Sequence, residues 1–168
     1  GARLGADLEI ERKFLIETLP EGLNAYPHES IVQGYVASAR DGNEVRLRQK
    51  GEKFFLTIKS GGGVIRREGE IAIDREQFET LWPFTGERVV ERIRYRIECD
   101  GRTIELDVYS GRLAGLATAE VEFGSEEESG TFIPPDWFGE EVSEDRRYKN
   151  ESLALHGAPE RQWAGEKR

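Results

Sequence analysis

Apolar and charged residues alternate along most of this chain with a period of two, which is the pattern of β-strands with one buried and one polar face. In the first such segment, Glu9, Glu11 and Lys13 share one face, and apolar residues occupy the other. The segments with this alternation span residues 7–16, 30–38, 44–50, 54–59, 64–74, 89–99, 102–109 and 118–123. Helices are predicted over residues 75–82 and 151–155. The pattern therefore predicts an α+β fold of about eight strands and a few helices.

The charges on the polar faces are sorted by strand instead of being mixed. Opposite charges on neighbouring strands attract and like charges directly opposite repel, so a solvated sheet face normally mixes the two signs. For any one strand taken alone, a solvated face is the plainer interpretation. Here the acidic pairs are Glu9/Glu11, Glu105/Asp107 and Glu120/Glu122, and the basic rows are Arg46/Arg48/Lys50, Arg92/Arg94/Arg96 and the strand of Lys59. Together these rows favour a closed antiparallel eight-stranded β-barrel, or tunnel, with a charged lumen and helices against its apolar face.

Such rows also indicate what the lumen would bind. Carboxylates held close together repel, and either protonation or a hard divalent cation with oxygen ligands relieves the repulsion. Clustered arginines and lysines call for a polyanion, and the arginine fork suits bidentate contact with phosphate. A polyphosphate chelated by Mg²⁺ or Mn²⁺ satisfies both kinds of row at once. The sequence therefore predicts a metal-assisted polyphosphate site inside the barrel.

Composition narrows the class of protein. A chain of 168 residues with 37% hydrophobic and 34% charged residues fits one domain, which we expect over residues 7–157, with a disordered tail over 158–168. The net charge of −9 argues against a nucleic-acid or anionic-membrane binder. Cys99 stands alone and cannot form an intramolecular disulfide, and no apolar run of 18 residues is present, so we expect a cytoplasmic protein. His28 and His156 are isolated and lack metal-ligand spacing.

A series of motifs resembles, in order, the short bacterial members of the CYTH superfamily, the triphosphate tunnel metalloenzymes. The motifs are Glu9-Ile10-Glu11-Arg12-Lys13, Arg46-Leu47-Arg48, Thr57-Ile58-Lys59, Arg94-Tyr95, Glu105-Leu106-Asp107-Val108, Glu120-Val121-Glu122-Phe123 and Asp145-Arg146-Arg147-Tyr148-Lys149-Asn150. The resemblance covers roughly Leu8 to Leu155. It is more specific for the fold than for the substrate, because the family includes inorganic, thiamine and nucleoside triphosphatases and adenylyl cyclases.

The resemblance implies roles for individual residues. It implies that the phosphates are bound by Lys13, Arg46, Arg48, Lys59, Arg94 and Lys149, with Arg66 and Arg147 as further candidates. It also implies that Mg²⁺ or Mn²⁺ is held by Glu9, Glu11, Glu120 and Glu122, with contributions from Asp107, Glu68 and Glu70. One metal would accompany the phosphates, and a second would orient the attacking water. The Gln33-Gly34-Tyr35 motif is similar to the one that places a tyrosine at the reacting phosphate in the family.

One position departs from the pattern. Close family members often have a lysine where this chain has Arg92, and that lysine is thought to work with the tyrosine at the reacting phosphate. An arginine side chain stays protonated, so Arg92 would stabilise charge in the transition state but would transfer a proton poorly. We therefore place Arg92 beside Tyr35 as a catalytic residue, and the departure bears on rate and substrate choice.

From the residues and the resemblance together, we expect a metal-dependent hydrolase that cleaves inorganic triphosphate to pyrophosphate and phosphate. The alternatives are a class IV-type adenylyl cyclase, a thiamine or nucleoside triphosphatase, and a non-catalytic polyphosphate sensor. We expect the triphosphate as the partner, neither nucleic acid nor membrane, and a homodimer as the candidate assembly.

Overall fold

The computed structural model describes residues 10–61 and 67–160. Its strands are β1 (Ile10–Leu15), β2 (His28–Ser38), β3 (Glu44–Lys50), β4 (Lys53–Ser60), β5 (Arg67–Ile73), β6 (Val89–Cys99), β7 (Arg102–Ser110) and β8 (Ala117–Phe123). Its α-helices are α1 (Arg75–Leu81), α2 (Glu126–Thr131) and α3 (Asn150–His156). Short 3₁₀ turns span Leu23–Ala25, Trp82–Thr85, Gly111–Leu113 and Arg146–Tyr148. Residues 7–9 and 64–66 of the predicted strands and residues 161–168 of the predicted tail lie outside the described residues.

The eight strands form one antiparallel sheet in the order β1-β8-β7-β6-β2-β3-β4-β5. Strands that follow each other along the chain pair as hairpins, except that β2 pairs with β6 and β1 with β8. The edges of the sheet are β1 and β5, and no hydrogen-bonded ladder joins them within residues 10–61 and 67–160. The predicted antiparallel sheet of eight strands is confirmed, whereas its closure into a barrel stays a prediction.

One face of the sheet, here called the outer face, is apolar and carries most of the core. The outer side chains of β6, β7 and β8, among them Ile97, Leu106 and Val121, form one buried cluster. Phe54 of β4 packs against Phe78 of α1 with their ring centroids 4.9 Å apart. Each large apolar side chain buried in this way contributes roughly 1.5–3 kcal/mol to the free energy of unfolding. The expected covering of the apolar face by helices is met by α1.

The opposite face, here called the inner face, carries the charged rows and has an apolar cluster at one end. There Leu15, Tyr35 and Tyr109 form a buried cluster with Leu153 and Ala154 of α3. Helix α3 thus lies on the inner face, although the sequence pattern led us to expect helices against the apolar face. The reason is that the inner face turns apolar at this end, and the short apolar side of α3 is buried only against it. The rest of the inner face, which is charged, is not covered by this cluster.

Strand β2 approaches the 3₁₀ turn Trp82–Thr85 closely at Gly34. A Cβ atom at Gly34 would lie 2.7 Å from Thr85 Cγ2 and 2.9 Å from Trp82 Cζ3, both below contact distance. Gly34 also separates Gln33 from Tyr35, two buried residues of the inner face. The close approach therefore fixes the position of the strand that carries Tyr35.

We expect Gly34→Ala to lower the free energy of unfolding by about 1–3 kcal/mol, because the added methyl group overpacks the contact with the turn. Urea denaturation, monitored by circular dichroism, measures this change in the free energy of unfolding. The matched control is Gly69→Ala, because a Cβ atom at Gly69 of β5 meets no described residue within 4 Å. Equal denaturation midpoints for the two variants would contradict the prediction.

Candidate active site

The alternation of each strand brings the predicted site residues onto one face. The inner-face residues, taken across the sheet from one edge to the other, are Glu11 and Lys13 of β1, Glu120 and Glu122 of β8, Glu105 and Asp107 of β7, Arg92, Arg94 and Arg96 of β6, Gln33 and Tyr35 of β2, Arg46 and Arg48 of β3, Thr57 and Lys59 of β4, and Glu68 and Glu70 of β5. The strand order places the acidic row of β7 directly beside the basic row of β6, and the acidic row of β8 follows on the far side of β7. The inner face is therefore a cationic centre flanked by carboxylates.

Arg92 lies at the middle of this centre and is almost completely buried, with 3% of its surface exposed. Its Nε lies 3.2 Å from Asp107 Oδ2, yet neither Nε nor Nη1 makes a hydrogen bond within the described part of the chain. The same holds for the buried Nε atoms of Arg46 and Arg48. Buried polar groups are nearly always hydrogen-bonded, because a donor without a partner costs its full desolvation free energy. Four guanidinium nitrogens on neighbouring side chains thus suit an anion with several acceptor oxygens.

Arg94 and Asp107 form a two-pronged ion pair across β6 and β7. Arg94 Nε donates to Asp107 Oδ1 at 2.8 Å, and Arg94 Nη2 donates to Asp107 Oδ2 at 2.9 Å. Burial alone would lower the pKa of Arg94, but the hydrogen bonds and the charge of Asp107 outweigh it and raise that pKa above its usual value. A predicted phosphate ligand and a predicted metal ligand are therefore bound to each other.

Carboxylates of neighbouring strands oppose each other at the other side of the inner face. Glu11 of β1 is directly opposite Glu122 of β8, and Glu120 of β8 is directly opposite Glu105 of β7. Like charges in this arrangement are unfavourable unless a cation lies between them. Within residues 10–61 and 67–160, no three Asp, Glu, His or Cys side chains come close enough to hold a metal ion. The predicted ligand Glu9 lies outside those residues, as does Arg66, and the donors present are carboxylate oxygens, which fit a hard divalent cation.

The remaining predicted metal ligands, Glu68 and Glu70 of β5, pair with the basic rows. Glu70 Oε1 accepts a hydrogen bond from Thr57 Oγ1 at 2.7 Å and lies 3.5 Å from Arg48 Nη2. Glu68 Oε1 lies 3.7 Å from Arg46 Nη2. Both carboxylates thus pair with the basic rows of β3 and β4, on the strand at the opposite end of the strand order from β1.

The pKa values of Tyr35 and Lys13, two further predicted site residues, are also shifted. Burial, followed by the nearby charge of Glu44, raises the pKa of Tyr35 to about 12, so the hydroxyl keeps its proton. Gln33 Nε2 donates to Tyr35 Oη at 2.6 Å. Burial also lowers the pKa of Lys13, although Glu120 and Asp107 oppose the shift, and its Nζ donates to the Tyr148 carbonyl at 2.6 Å.

Three predicted phosphate ligands lie nearer the margin of the inner face. Lys59 stands opposite Glu44 on one side and Glu68 on the other. Arg147 is exposed in the Arg146–Tyr148 turn and pairs with Asp145 at 2.7 Å. Lys149 is exposed at the N-terminal end of α3. The carbonyl of Tyr148, which lies between these two residues in sequence, accepts the hydrogen bond from Lys13 and links this turn to β1.

Glu44 belongs to the site, although the sequence reasoning did not select it. Its carboxylate is buried at the start of β3, 3.3 Å from Arg46 Nη1, and is hydrogen-bonded to the side chain of Glu151 on α3. Burial first, and then the hydrogen bond with Glu151, raise the pKa of Glu44. The signal in the sequence was its position two residues before Arg46, on the same face of β3. What the sequence could not supply was the approach of Glu151 from the helix.

Comparison with known proteins gives consistent results over most of the chain. The CYTH domain family model matches residues 7–157. The chain is 54% identical over 149 residues to the inorganic triphosphatase of Nitrosomonas europaea, covering 88% of this chain and 97% of that protein. It is 34% identical over 152 residues to the inorganic triphosphatase of Acetivibrio thermocellus, covering 86% and 92%. The crystal structure of the inorganic triphosphatase NE1496 superposes with a TM-score of 0.79 at 49% identity, covering 91% of this chain and 98% of that one.

Among the described residues, no helix combines the length and the apolar character needed to cross a bilayer.

We expect Glu44→Gln to gain stability relative to the wild type as the pH rises. The folded state of the wild type holds the Glu44 proton more tightly than the unfolded state does, so its free energy of unfolding falls as the pH rises from about 4.5 through the raised pKa. A glutamine has no proton to lose over that range. Melting temperatures of both proteins between pH 4.5 and 8 measure the difference, with Glu79→Gln on the exposed side of α1 as the control. A difference that stays constant or shrinks with pH would contradict the raised pKa.

Proposed function

The chain belongs to the CYTH domain family, the triphosphate tunnel metalloenzymes, and on that basis we propose that it hydrolyses inorganic triphosphate to pyrophosphate and phosphate with a divalent metal ion. The curated relatives at 54% and 34% identity are inorganic triphosphatases that match this chain over nearly their whole length. The proposal assigns the reaction to the inner face. Water adds to a terminal phosphorus atom, the bridging P–O bond breaks, and pyrophosphate leaves.

The observation that carries this proposal is a group of buried guanidinium nitrogens on Arg46, Arg48 and Arg92, which have no hydrogen-bond partner in the part of the chain that the structure describes. Guanidinium groups carry fixed forks of N–H donors, which match the oxygens of a phosphate group in pairs. Inorganic triphosphate offers many such oxygens on three linked phosphates, and it has no organic group that would need a further binding site. A single monoanion would leave most of these donors unsatisfied.

The carboxylates of the acidic strands are the proposed metal ligands. Glu11, Glu120 and Glu122, together with Glu9, would hold Mg²⁺ or Mn²⁺, with Asp107 close by and Glu68 and Glu70 at the far side. An ion bound there would supply charge neutralisation and Lewis-acid activation during the displacement. The opposed positions of Glu11 and Glu122 support this assignment, because they put two carboxylates side by side where one hard cation can take oxygen ligands from both.

The basic residues and Tyr35 are proposed to act directly on the phosphates. Arg46, Arg48 and Arg94 bind and orient the triphosphate, with Lys13, Lys59, Arg66, Arg147 and Lys149 as further phosphate ligands. Arg92 stabilises the negative charge that develops at the reacting phosphate. Tyr35 acts as a hydrogen-bond donor there and not as a base, because its raised pKa keeps the hydroxyl protonated.

The aromatic residues support an inorganic substrate over an organic one. Tyr35 and Tyr109 are inner-face tyrosines on which a thiamine or adenine ring could stack, and both are buried in the cluster with α3. The Tyr109 hydroxyl also donates to Asn150 Oδ1 at 2.9 Å, which holds the ring against the helix. A ring stacked on either residue would have to displace α3.

Phosphate release over a panel of substrates tests the proposed function. The panel is inorganic triphosphate, thiamine triphosphate and ATP with Mg²⁺, and cyclic AMP is assayed in the ATP reaction. We expect the highest kcat/KM with inorganic triphosphate and no cyclic AMP. Preferred cleavage of thiamine triphosphate or ATP would reassign the substrate, and accumulation of cyclic AMP would reassign the reaction. Failure to cleave any member of the panel would leave polyphosphate binding without catalysis as the function.

Removal of the metal is the first prediction from the proposed chemistry. We expect EDTA to abolish phosphate release and added Mg²⁺ or Mn²⁺ to restore it, because the carboxylate oxygens need the ion to assist the displacement. Glu120→Gln should lower kcat strongly and leave the melting temperature close to that of the wild type. Glu79→Gln on α1 is the matched control and should leave both unchanged. Full turnover in EDTA would contradict metal dependence.

The second prediction concerns Arg92. If the reaction needs a fixed positive charge, the kcat of Arg92→Lys stays within a few-fold of the wild-type value. The kcat of Arg92→Ala then falls on the order of 10²-fold, the loss expected for one charge-stabilising donor. The assay is phosphate release from inorganic triphosphate between pH 6 and 10, with Arg75→Ala on α1 as the control for loss of an arginine. A large increase in kcat for Arg92→Lys, with a new titrating group in the pH profile, would instead assign proton transfer to this position.

A further inference from the structure

Gln33 is a buried side chain of the inner face to which neither the sequence motifs nor the proposed chemistry gives a role. Gln33 and Tyr35 lie two residues apart on β2, so their side chains share one face. The exposed fractions are 3% for Gln33 and 1% for Tyr35. Gln33 Nε2 donates to Tyr35 Oη at 2.6 Å, which makes this a hydrogen bond between two buried neutral groups. A buried amide of this kind is retained only when its hydrogen bonds are made.

The backbone around this pair is held in place from two sides. The Tyr35 N–H donates to the Arg88 carbonyl at 2.9 Å, and Arg88 Nε donates to the Tyr35 carbonyl at 2.9 Å. Gly34, between the two residues, is packed against Thr85 and Trp82. The position of the phenol ring is therefore set by the strand, and the direction of its O–H bond is the remaining freedom.

The hydrogen bond from Gln33 limits where the hydroxyl proton can go. A tyrosine hydroxyl has one donor and two acceptor positions, and the amide N–H occupies one acceptor. The charges nearest to the hydroxyl are those of Glu44, Arg46 and Arg92. The two arginines have no acceptor, so the proton cannot be donated to them. Glu44 is already engaged by Glu151 and Arg46, and the proposed function supplies a further acceptor, an oxygen of the bound phosphate.

Since this rests on the proposed function, which puts Tyr35 at the reacting phosphate, we propose that Gln33 is a positioning residue for the reaction. Its amide donates to the Tyr35 hydroxyl oxygen and so directs the hydroxyl proton toward the phosphate. The step is hydrogen-bond donation to a phosphate oxygen, and no bond to phosphorus is made or broken by Tyr35. The same hydrogen bond favours the ionised phenol and thereby opposes the rise in the pKa of Tyr35 caused by burial, which makes the hydroxyl a stronger donor.

The opposite orientation of the amide would have a different consequence. If the Gln33 side-chain oxygen faced Tyr35, the hydroxyl would donate its proton to Gln33 and would be lost as a donor to phosphate. A glutamate at position 33 can only accept when ionised, so it imposes this second arrangement without a large change of shape. Gln33→Met removes both arrangements and keeps an unbranched side chain of similar length. The two variants therefore separate donation by Gln33 from simple filling of space.

A double-mutant cycle with Tyr35→Phe tests the inference. Initial rates of phosphate release from inorganic triphosphate with Mg²⁺ give kcat and KM for the wild type, Gln33→Met, Gln33→Glu, Tyr35→Phe and Gln33→Met combined with Tyr35→Phe. We expect Gln33→Met to lower kcat about tenfold with KM within about twofold, the scale of one lost hydrogen bond in the transition state. Gln33→Glu should lower kcat by at least the same factor. In the Tyr35→Phe background, Gln33→Met should have no further effect, because its action passes through the hydroxyl.

Independent losses that multiply in the double variant would overturn the inference, as would wild-type kcat in Gln33→Glu. Gln49→Leu is the matched control, because Gln49 lies on the other face of β3, where its side chain donates to the Gly51 carbonyl, and its kcat should not change. Melting temperatures show whether each variant is folded, and Gln33→Glu carries the test if Gln33→Met does not fold. A wild-type protein that does not cleave triphosphate would overturn the proposed function and this inference together. An active wild type with an additive cycle would overturn the inference alone.

Discussion

The arrangement of this molecule depends on an excess of buried positive charge around one carboxylate. Arg92 and Arg94 both face Asp107, and Arg94 takes both of its oxygens in hydrogen bonds of 2.8 and 2.9 Å. Arg92 is therefore attracted to a carboxylate, that of Asp107, whose two oxygens already accept hydrogen bonds from Arg94. Two nitrogens of Arg92 have no hydrogen-bond partner in the described residues. Removing a charge from water costs several kcal/mol unless it is paired and hydrogen-bonded. A polyanion bound beside Arg92 would recover that cost, so the buried charge favours substrate binding more than it favours the free protein.

The fold keeps this charge in place because the two faces of the sheet differ: the outer face is apolar and the inner face carries the charged side chains. The outer face packs apolar side chains of β6, β7 and β8 with each other and packs β4 against α1, and this burial supplies the stability that the inner face gives up. At one end of the inner face, α3 buries its apolar residues against Tyr35 and Tyr109 and brings Glu151 to Glu44. The helix thus helps to bury Tyr35, which keeps its hydroxyl protonated and ready to donate.

The sequence alone predicted the side of the sheet on which each residue lies, and failed where contacts between distant segments decide the outcome. A period of two assigns Lys13, Arg46 and Asp107 to one face whatever the rest of the chain does. It does not say that Asp107 will pair with Arg94, because that depends on which strands become neighbours and on side-chain rotamers. Glu44 was missed because its partner Glu151 arrives from a helix 107 residues later in the chain. Closure of the sheet depends on twist and strand stagger, which the alternation of residues does not encode.

Titration calorimetry with imidotriphosphate, an analogue whose P–N–P links resist hydrolysis, tests the central claim most directly. In the presence of Mg²⁺ the wild type should bind one analogue per chain. Replacing Arg46 and Arg48 together by glutamine should weaken binding by more than about a hundredfold, the scale of two charge-assisted hydrogen bonds at roughly 1.5–3 kcal/mol each. The melting temperature of the free double variant shows whether it is folded, because the same replacement removes the ion pairs of these arginines with Glu44, Glu68 and Glu70. Equal affinity in the wild type and the double variant would contradict the claim that the inner face binds the triphosphate through these buried guanidinium groups.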